Sequence, residues 1–222
     1  MTKKQTASLV MNFMIFALTV FSTISTIIGF KFMGELRVLH DRNFECFKYF
    51  TVDSNVFAAI ISLIYAIFML RPAYKKTGKL PKILTCLKLA ATTGLTLTMM
   101  VTVFFLAPRS SISYFYHFMN ANFFMHFFTP LLCIISFIFL EPNEIGFVES
   151  ISGIITMSLY ALVYTPNVLL HLENGKASPD YDWYGFLDWG VSTVWIVVPF
   201  LLLVSWIFTL GLWAANKKLT KK

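Results

Sequence analysis

The segment Phe50–Leu70, FTVDSNVFAAIISLIYAIFML, decides the fold class, because this run of 21 residues contains a single charged side chain, Asp53. At a rise of about 1.5 Å per residue, a helix of this length spans about 30 Å, which is the thickness of the hydrocarbon core of a bilayer. A run this long and this apolar is typical of a helix that crosses a membrane.

Five further stretches have the length and apolar composition of membrane-spanning helices. The six predicted spans lie near 9–30, 50–70, 83–106, 122–140, 147–170 and 189–214. The first span is too long for the apolar region of a signal peptide and has no small-x-small cleavage pattern, so we expect a permanent helix. The expected architecture is all-α, a single-domain bundle of six transmembrane helices that covers residues 1–222.

The composition of the whole chain agrees with a polytopic membrane protein. Of the 222 residues, 57% are hydrophobic and 13% are charged, and the mean hydropathy is +0.71. Soluble domains carry about 25% charged residues, and a soluble domain of this length has no interior large enough for so many apolar side chains. The composition excludes an ordinary cytosolic enzyme, a nucleic-acid-binding module and a disordered chain.

The positions of the positive charges predict which helix ends face the cytoplasm. With both termini inside, twelve Lys and Arg residues fall in cytoplasmic segments and six in outer loops. Six of the twelve lie from Arg71 to Lys88, and Glu141 falls in an inner loop. The positive-inside rule therefore predicts an N-in, C-in protein of the cell membrane. The net charge of +7 follows from this arrangement and indicates no nucleic-acid partner; the oligomeric state stays open.

Three predicted spans carry polar residues at helical spacing, and with this topology all four histidines and the first turns of the second span lie in the outer half of the bundle. The stripes are Thr51, Asn55, Ala58 and Ser62 on the second span, Asn122, His126, Thr129 and Cys133 on the fourth, and Tyr160, Tyr164, Asn167 and His171 on the fifth. Polar stripes on membrane helices face a bundle interior or a wet cavity. The sequence therefore predicts a polar pocket that opens toward the outer leaflet, lined by the second, fourth and fifth helices.

Each of these residues also has a simpler interpretation. The Thr51 hydroxyl can bond to the carbonyl one turn back, and Asn55 can join two helices. Asp188 at the start of the sixth span suits the positive end of the helix dipole. His126 is harder to explain in this way, because an ionisable side chain inside the bilayer is a functional candidate by default. Pro130 frees the carbonyl of His126, so we expect a kink there.

The same stretches carry a family resemblance. FKYFTVDSN (47–55) resembles a segment of the androgen-induced-protein and androgen-dependent TFPI-regulating-protein family, and more closely its presumed prokaryotic six-span relatives, which have the form YFT-x-x-SN. MHFFTPLL (125–132) is similar to the family's histidine segment, H-x-x-x-P-hydrophobic. YDWYGFLD (181–188) resembles its W-Y-P-Y-x-F-L stretch, with Gly185 where proline is common. The resemblance covers the second to the sixth span.

The resemblance implies a function, because characterised animal members of that family are multi-pass hydrolases of fatty-acid esters of hydroxy fatty acids. Carried over to this chain, it implies Thr51 as the nucleophile and His126 as the general base, without a cofactor. The expected partner is a lipid or fatty-acyl ester that enters from the bilayer. The candidate substrate and oxyanion residues are Asn55, Asn122, Asn167, Tyr164, His171 and Asp188. A Thr–His dyad is expected, with Asp188 or Asp53 as weaker third members.

Two rival functions stay open at this point. One is a metal hydrolase, in which zinc would be bound by histidines and an aspartate and would activate water. Its candidate ligands are His40, His117, His126 and His171. No tight ligand spacing such as HExxH supports such a site, and no metal ion is expected. The three cysteines are too scattered for a disulfide framework or a zinc-thiolate site. The other rival is a small transporter or an accessory membrane protein. The sequence shows no inverted repeat and no carboxylate at the membrane midplane, and both observations argue against a transporter.

Overall fold

The computed structural model describes residues 1–34, 43–111, 113–142, 144–187 and 189–220. Within these ranges six helices are long and apolar enough to cross a membrane, which confirms the predicted all-α class. These helices are α1 (Lys3–Ile28), α2 (Phe50–Leu70), α3 (Lys82–Arg109), α4 (Ala121–Leu140), α5 (Glu149–Leu170) and α6 (Val191–Thr220). The end of the bundle at which α2, α4 and α6 begin is called the upper end below, and the opposite end is the lower end.

Local sequence signals set the helix ends. α1 begins at Lys3 rather than near residue 9, because Thr2 and Gln5 form a reciprocal capping box, and it ends at Gly29, which adopts a left-handed conformation. After α5 the chain forms a short hairpin of β1 (Leu172–Glu173) and β2 (Lys176–Ala177), which pair in antiparallel register. The turn residues Asn174 and Gly175 both have positive φ, as a two-residue hairpin turn requires.

Wider π-helical turns precede three of the prolines. They span Thr102–Leu106 before Pro108, Phe124–Phe128 before Pro130 and Ser136–Leu140 before Pro142. Proline lacks an N–H and its ring clashes with the carbonyl four residues earlier, and a π turn is one way for a helix to relieve that clash. His126 therefore lies in a π turn at the upper end of α4.

The helices form a ring around α3, which is the most buried of the six. On one side of the ring α4 packs against α1, and α1 packs against α2. On the other side α4 packs against α6, and α6 packs against α5. The central α3 contacts α2, α4, α5 and α6. α2 and α5 flank a groove at the position where the ring opens. This groove and the upper ends of the surrounding helices hold most of the predicted site residues.

A network of buried charged and polar side chains joins the helices inside the bundle. The fully buried Lys88 on α3 donates to Asn12 Oδ1 on α1 (2.7 Å) and to Ser62 Oγ on α2 (2.7 Å). Its Nζ lies 3.6 Å from Oε1 of Glu141, which is also fully buried just after α4. The same carboxylate oxygen accepts from Asn12 Nδ2 (3.2 Å) and from Ser136 Oγ (2.7 Å).

This network corrects two sequence-based assignments. Lys88 was counted as a charge of the inner loop and Glu141 as a loop acid, but both side chains lie inside the protein. They can do so because each charge has its counter-ion and hydrogen-bonding neighbours there, which offsets part of the desolvation cost. A buried carboxylate is thus present, although it is ion-paired beside the end of α4 and belongs to no polar stripe.

The contact between α5 and α6 depends on a glycine. A Cβ atom at Gly153 on α5 would overlap the side chain of Thr209 on α6, so Gly153→Ala is expected to destabilise the protein by about 1–3 kcal/mol. Gly211→Ala on α6 is the matched control, since a Cβ atom there meets nothing within 4 Å. Thermal unfolding in detergent measures both variants, and equal melting temperatures for Gly153→Ala and wild type would contradict the close helix contact.

Candidate active site

Thr51 lies in the first turn of α2, and its side chain is buried against a small cavity. The cavity has a volume of about 30 Å³, and its lining includes Thr98 and Thr102 of α3, Tyr160 of α5 and Tyr184 of the loop before α6. The Thr51 hydroxyl makes no hydrogen bond to the carbonyl one turn back within the described residues. Thr51 lines the cavity together with Tyr184, so the simpler interpretation of this threonine is not realised.

His126 is buried at the upper end of α4, and its hydrogen bond defines its tautomer. Nδ1 lies 2.8 Å from the carbonyl oxygen of His117. A carbonyl only accepts, so Nδ1 carries a proton, and in the neutral imidazole the lone pair is then on Nε2. Burial lowers the pKa of the His117 imidazole, so this neighbour is neutral and places no positive charge beside His126. A neutral histidine with a free Nε2 lone pair has the form that a general base requires.

Asn55 connects the two helices that carry Thr51 and His126. Its Nδ2 donates to the Thr51 carbonyl (2.8 Å) and to the carbonyl of Met125 (3.1 Å), the residue before His126. One amide nitrogen therefore holds the first turn of α2 against the π turn of α4. Both amide hydrogens are used, which leaves Asn55 none for an oxyanion. Within the described residues no hydrogen bond joins Thr51 to His126 directly, and catalytic hydrogen bonds in ligand-free enzymes are often long.

The groove between α2 and α5 lies beside the Thr51 cavity. It has a volume of about 520 Å³ and shares two of its lining residues, Phe50 and Tyr160, with the cavity. Its lining includes the polar residues Lys48, Asp53, Tyr164 and Asn167 and the apolar residues Phe57, Leu159 and Val163. A groove with this lining suits an amphiphile whose chain packs against the apolar residues.

The predicted pocket is therefore only partly correct in its walls. The second and fifth helices do line the groove, but α4 does not, because α4 packs against α1, α3, α6 and the start of α2. The cavity that Thr51 lines is closed by α3, α5, α6 and the loop before α6. His126 is not among the lining residues of either space, and its turn is joined to α2 through the bond from Asn55 to the Met125 carbonyl.

The remaining candidate residues divide between the groove and its surroundings. Asn167 lines the groove, whereas Asn122 is buried in the first turn of α4. Tyr164 donates to Asp182, whose carboxylate also accepts from the backbone N–H groups of Phe186 and Leu187. This arrangement fixes the loop that carries Tyr184.

The histidines that the structure describes form no metal-binding group at the upper end of the bundle. His171 is exposed, stacks on Tyr181 and contacts the Asn167 carbonyl through Nδ1 (2.8 Å). Asp188 and His40 lie outside the described residues. Among the residues that the structure does describe, no three His, Cys, Asp or Glu side chains are grouped closely enough to hold a metal ion.

Sequence reasoning missed two features of this region. Tyr184 belongs to the 181–188 motif, but nothing in the spacing of that motif places its hydroxyl beside Thr51. Thr102 lies on α3, which carries no polar stripe in the prediction, yet its buried hydroxyl lines the Thr51 cavity. No protein-family model, curated protein or solved structure matches this chain. The family resemblance therefore stays a prediction, and the site is argued from its geometry.

Proposed function

We propose that the protein is an integral membrane hydrolase that cleaves an acyl ester of a lipid, of the type formed between a fatty acid and a hydroxy fatty acid. Thr51 is the nucleophile and His126 the general base. The observation that carries the proposal is the Asn55 bridge, because it joins the first turn of α2, which holds Thr51, to the turn of a histidine that makes no hydrogen bond through Nε2 within the described residues. The alternative functions have no comparable pairing of a hydroxyl with a base.

The proposed reaction proceeds in two steps. As Thr51 Oγ1 attacks the ester carbonyl carbon, His126 Nε2 takes the hydroxyl proton; the bond from that carbon to the leaving alkoxide then breaks. The imidazolium gives its proton to the alkoxide, which leaves as the hydroxyl of the hydroxy fatty acid. A water molecule, activated by the same Nε2, attacks the acyl-threonine and releases the free fatty acid.

The groove between α2 and α5 supports a lipid as the substrate. Its apolar wall accepts an acyl chain, and the polar residues Lys48, Asp53 and Asn167 accept the carboxylate or hydroxyl groups of an amphiphile. The groove and the Thr51 cavity share Phe50 and Tyr160 as lining residues. A lipid in the groove thus lies next to the cavity that Thr51 lines, and in the proposed reaction it reaches Thr51 past these two side chains.

The test is hydrolysis of a palmitic acid ester of hydroxystearic acid by the purified protein in lipid nanodiscs, measured by mass spectrometry. His126→Asn is the sharpest variant, because the asparagine Nδ2 can still donate to the His117 carbonyl but no base replaces Nε2. We expect its rate to fall by about 10²–10⁴-fold. Unchanged turnover in this variant would contradict the proposed base, and no turnover in folded wild type would contradict the proposed function.

A small transporter is the second candidate, and the buried Lys88–Glu141 pair is the observation that favours it. Ionisable side chains inside membrane bundles often mark ion or substrate pathways. Oε2 of Glu141 is buried without a hydrogen-bond partner among the described residues, which leaves one carboxylate oxygen free to take a proton. Substrate-dependent proton uptake into proteoliposomes, without release of fatty acid, would favour this second function.

A further inference from the structure

The helix α2 begins in a buried position, and its first backbone N–H groups have no acceptor within the helix. Tyr49 precedes the helix and provides no side-chain cap. The Tyr49 carbonyl accepts from Val52 and Asp53, which leaves the N–H groups of Phe50 and Thr51 outside the helical ladder. An uncapped N-terminus carries a partial positive charge that favours an anion or a carbonyl oxygen.

The Tyr184 hydroxyl is the group that meets these N–H groups. It interacts with the Phe50 and Thr51 amides, with the Thr51 hydroxyl and with Tyr160. Burial raises the pKa of the Tyr184 phenol, so the group stays protonated and can donate. The hydroxyl is therefore both an acceptor for the helix N-terminus and a donor toward the cavity.

A second polar group in the cavity has no partner. Thr102 on α3 is fully buried and lines the cavity with Thr51 and Tyr184. Its hydroxyl makes no hydrogen bond to any part of the chain that the structure describes. A buried hydroxyl without a partner costs about 1–3 kcal/mol, so its presence beside a helix N-terminus points to a ligand that supplies the missing bond.

The size of the cavity limits what that ligand can be. One water molecule needs about 10–15 Å³ of cavity volume. The cavity of about 30 Å³ therefore accommodates a group of two or three heavy atoms. An acyl chain cannot fit in this space, but it fits in the adjoining groove of about 520 Å³. The two spaces together match a fatty acyl group whose carbonyl end enters the cavity while its chain lies in the groove.

We propose that this cavity is the binding site for the carboxyl end of a fatty acyl group. The donors are the N–H groups of Phe50 and Thr51 and the hydroxyls of Tyr184 and Thr102. The site rests on the proposed function in one respect: during hydrolysis it would hold the ester carbonyl and stabilise the oxyanion. Binding of a free fatty acid, the product, needs no turnover and depends on the same donors. The bound carboxylate then accepts from the Phe50 and Thr51 N–H groups in place of the Tyr184 oxygen, and the Tyr184 O–H donates to it.

The test is equilibrium binding of radiolabelled palmitate to the protein in nanodiscs, with empty nanodiscs as the background. Tyr184→Phe and Thr102→Val each remove one hydroxyl with little change in shape. We expect the dissociation constant to rise at least fivefold for Tyr184→Phe and at least threefold for Thr102→Val. Tyr181→Phe is the matched control and is expected to bind like wild type, because Tyr181 stacks on His171 outside the cavity. Hexadecanol, which has a hydroxyl in place of the carboxylate, is the control ligand. We expect it to bind more weakly than palmitate and to lose less affinity in Tyr184→Phe.

The outcomes separate this site from the hydrolase proposal. If Tyr184→Phe and Thr102→Val, both folded, bind palmitate as wild type does, the carboxyl site is wrong even when Thr51 proves catalytic. If wild type hydrolyses no ester but both variants lose palmitate affinity, the proposed function is wrong and the carboxyl site stands. If the variants lose hexadecanol and palmitate to the same extent, the hydroxyls only shape the groove and the carboxyl site is contradicted.

Discussion

Thr51→Val is expected to lower ester hydrolysis at least about 10³-fold, because it removes the attacking oxygen and keeps the β-branched shape of the side chain. The residue is buried in the first turn of α2, and its hydroxyl makes no helix-stabilising bond to the preceding turn. Folding should therefore be nearly unchanged, so the loss of rate reports on chemistry. Release of fatty acid in nanodiscs, measured by mass spectrometry beside thermal unfolding, gives both quantities.

Thr51→Ser is the matched control for this prediction. It keeps a hydroxyl at the same position, and we expect it to retain measurable hydrolysis with a normal melting temperature. Turnover by folded Thr51→Val within a few-fold of wild type would show that another group attacks the ester. Equal losses in the Val and Ser variants, with normal folding, would show that the methyl contacts of Thr51 matter more than its hydroxyl.

The second large effect concerns stability. Lys88→Met is expected to destabilise the protein by about 3–5 kcal/mol, because it leaves the buried Glu141 carboxylate without its counter-ion. Asn12 and Ser62 also lose the ammonium group from which they accept hydrogen bonds. Unfolding in detergent, followed by thermal scanning fluorescence, measures the change.

Two further variants separate burial of charge from loss of packing. Lys88→Met combined with Glu141→Gln removes both charges, and we expect it to recover a large part of the lost stability. Lys82→Met breaks the exposed contact of Lys82 with Glu149 (3.4 Å) and is expected to change the melting temperature little. If Lys88→Met melts like Lys82→Met, the buried ion pair does not hold the bundle together.

The number of spans and their approximate positions were predictable, because hydrophobic length is a local property. The second span begins and ends at the predicted residues, whereas α1 starts earlier because of a capping box at Thr2 and ends earlier at Gly29. The pairing of Lys88 with Glu141 was not predictable from local sequence. A lysine close to a basic loop resembles a topology signal, and its partner is far away in sequence, just after α4.

The roles of the candidate site residues stay predictions, whereas the walls around them can be compared with the structure. Helical spacing singles out Thr51, Asn55 and His126, and the Asn55 amide joins the Thr51 carbonyl to that of Met125, the residue before His126. The spacing cannot show which face of each helix meets which neighbour, so α3 was missed as the wall that carries Thr102. Tyr184 reaches the cavity only because its loop is folded around Asp182, a long-range arrangement without a local signature.

The most direct test of the central claim is covalent labelling of the purified protein in nanodiscs with a lipophilic fluorophosphonate, followed by peptide mass spectrometry. We expect a label on Thr51, which Thr51→Val abolishes and His126→Asn strongly reduces, while Gly211→Ala labels as wild type does. A folded wild-type protein that takes no label, or that takes it at another residue with Thr51 unmodified, would contradict the assignment of Thr51 as an activated nucleophile.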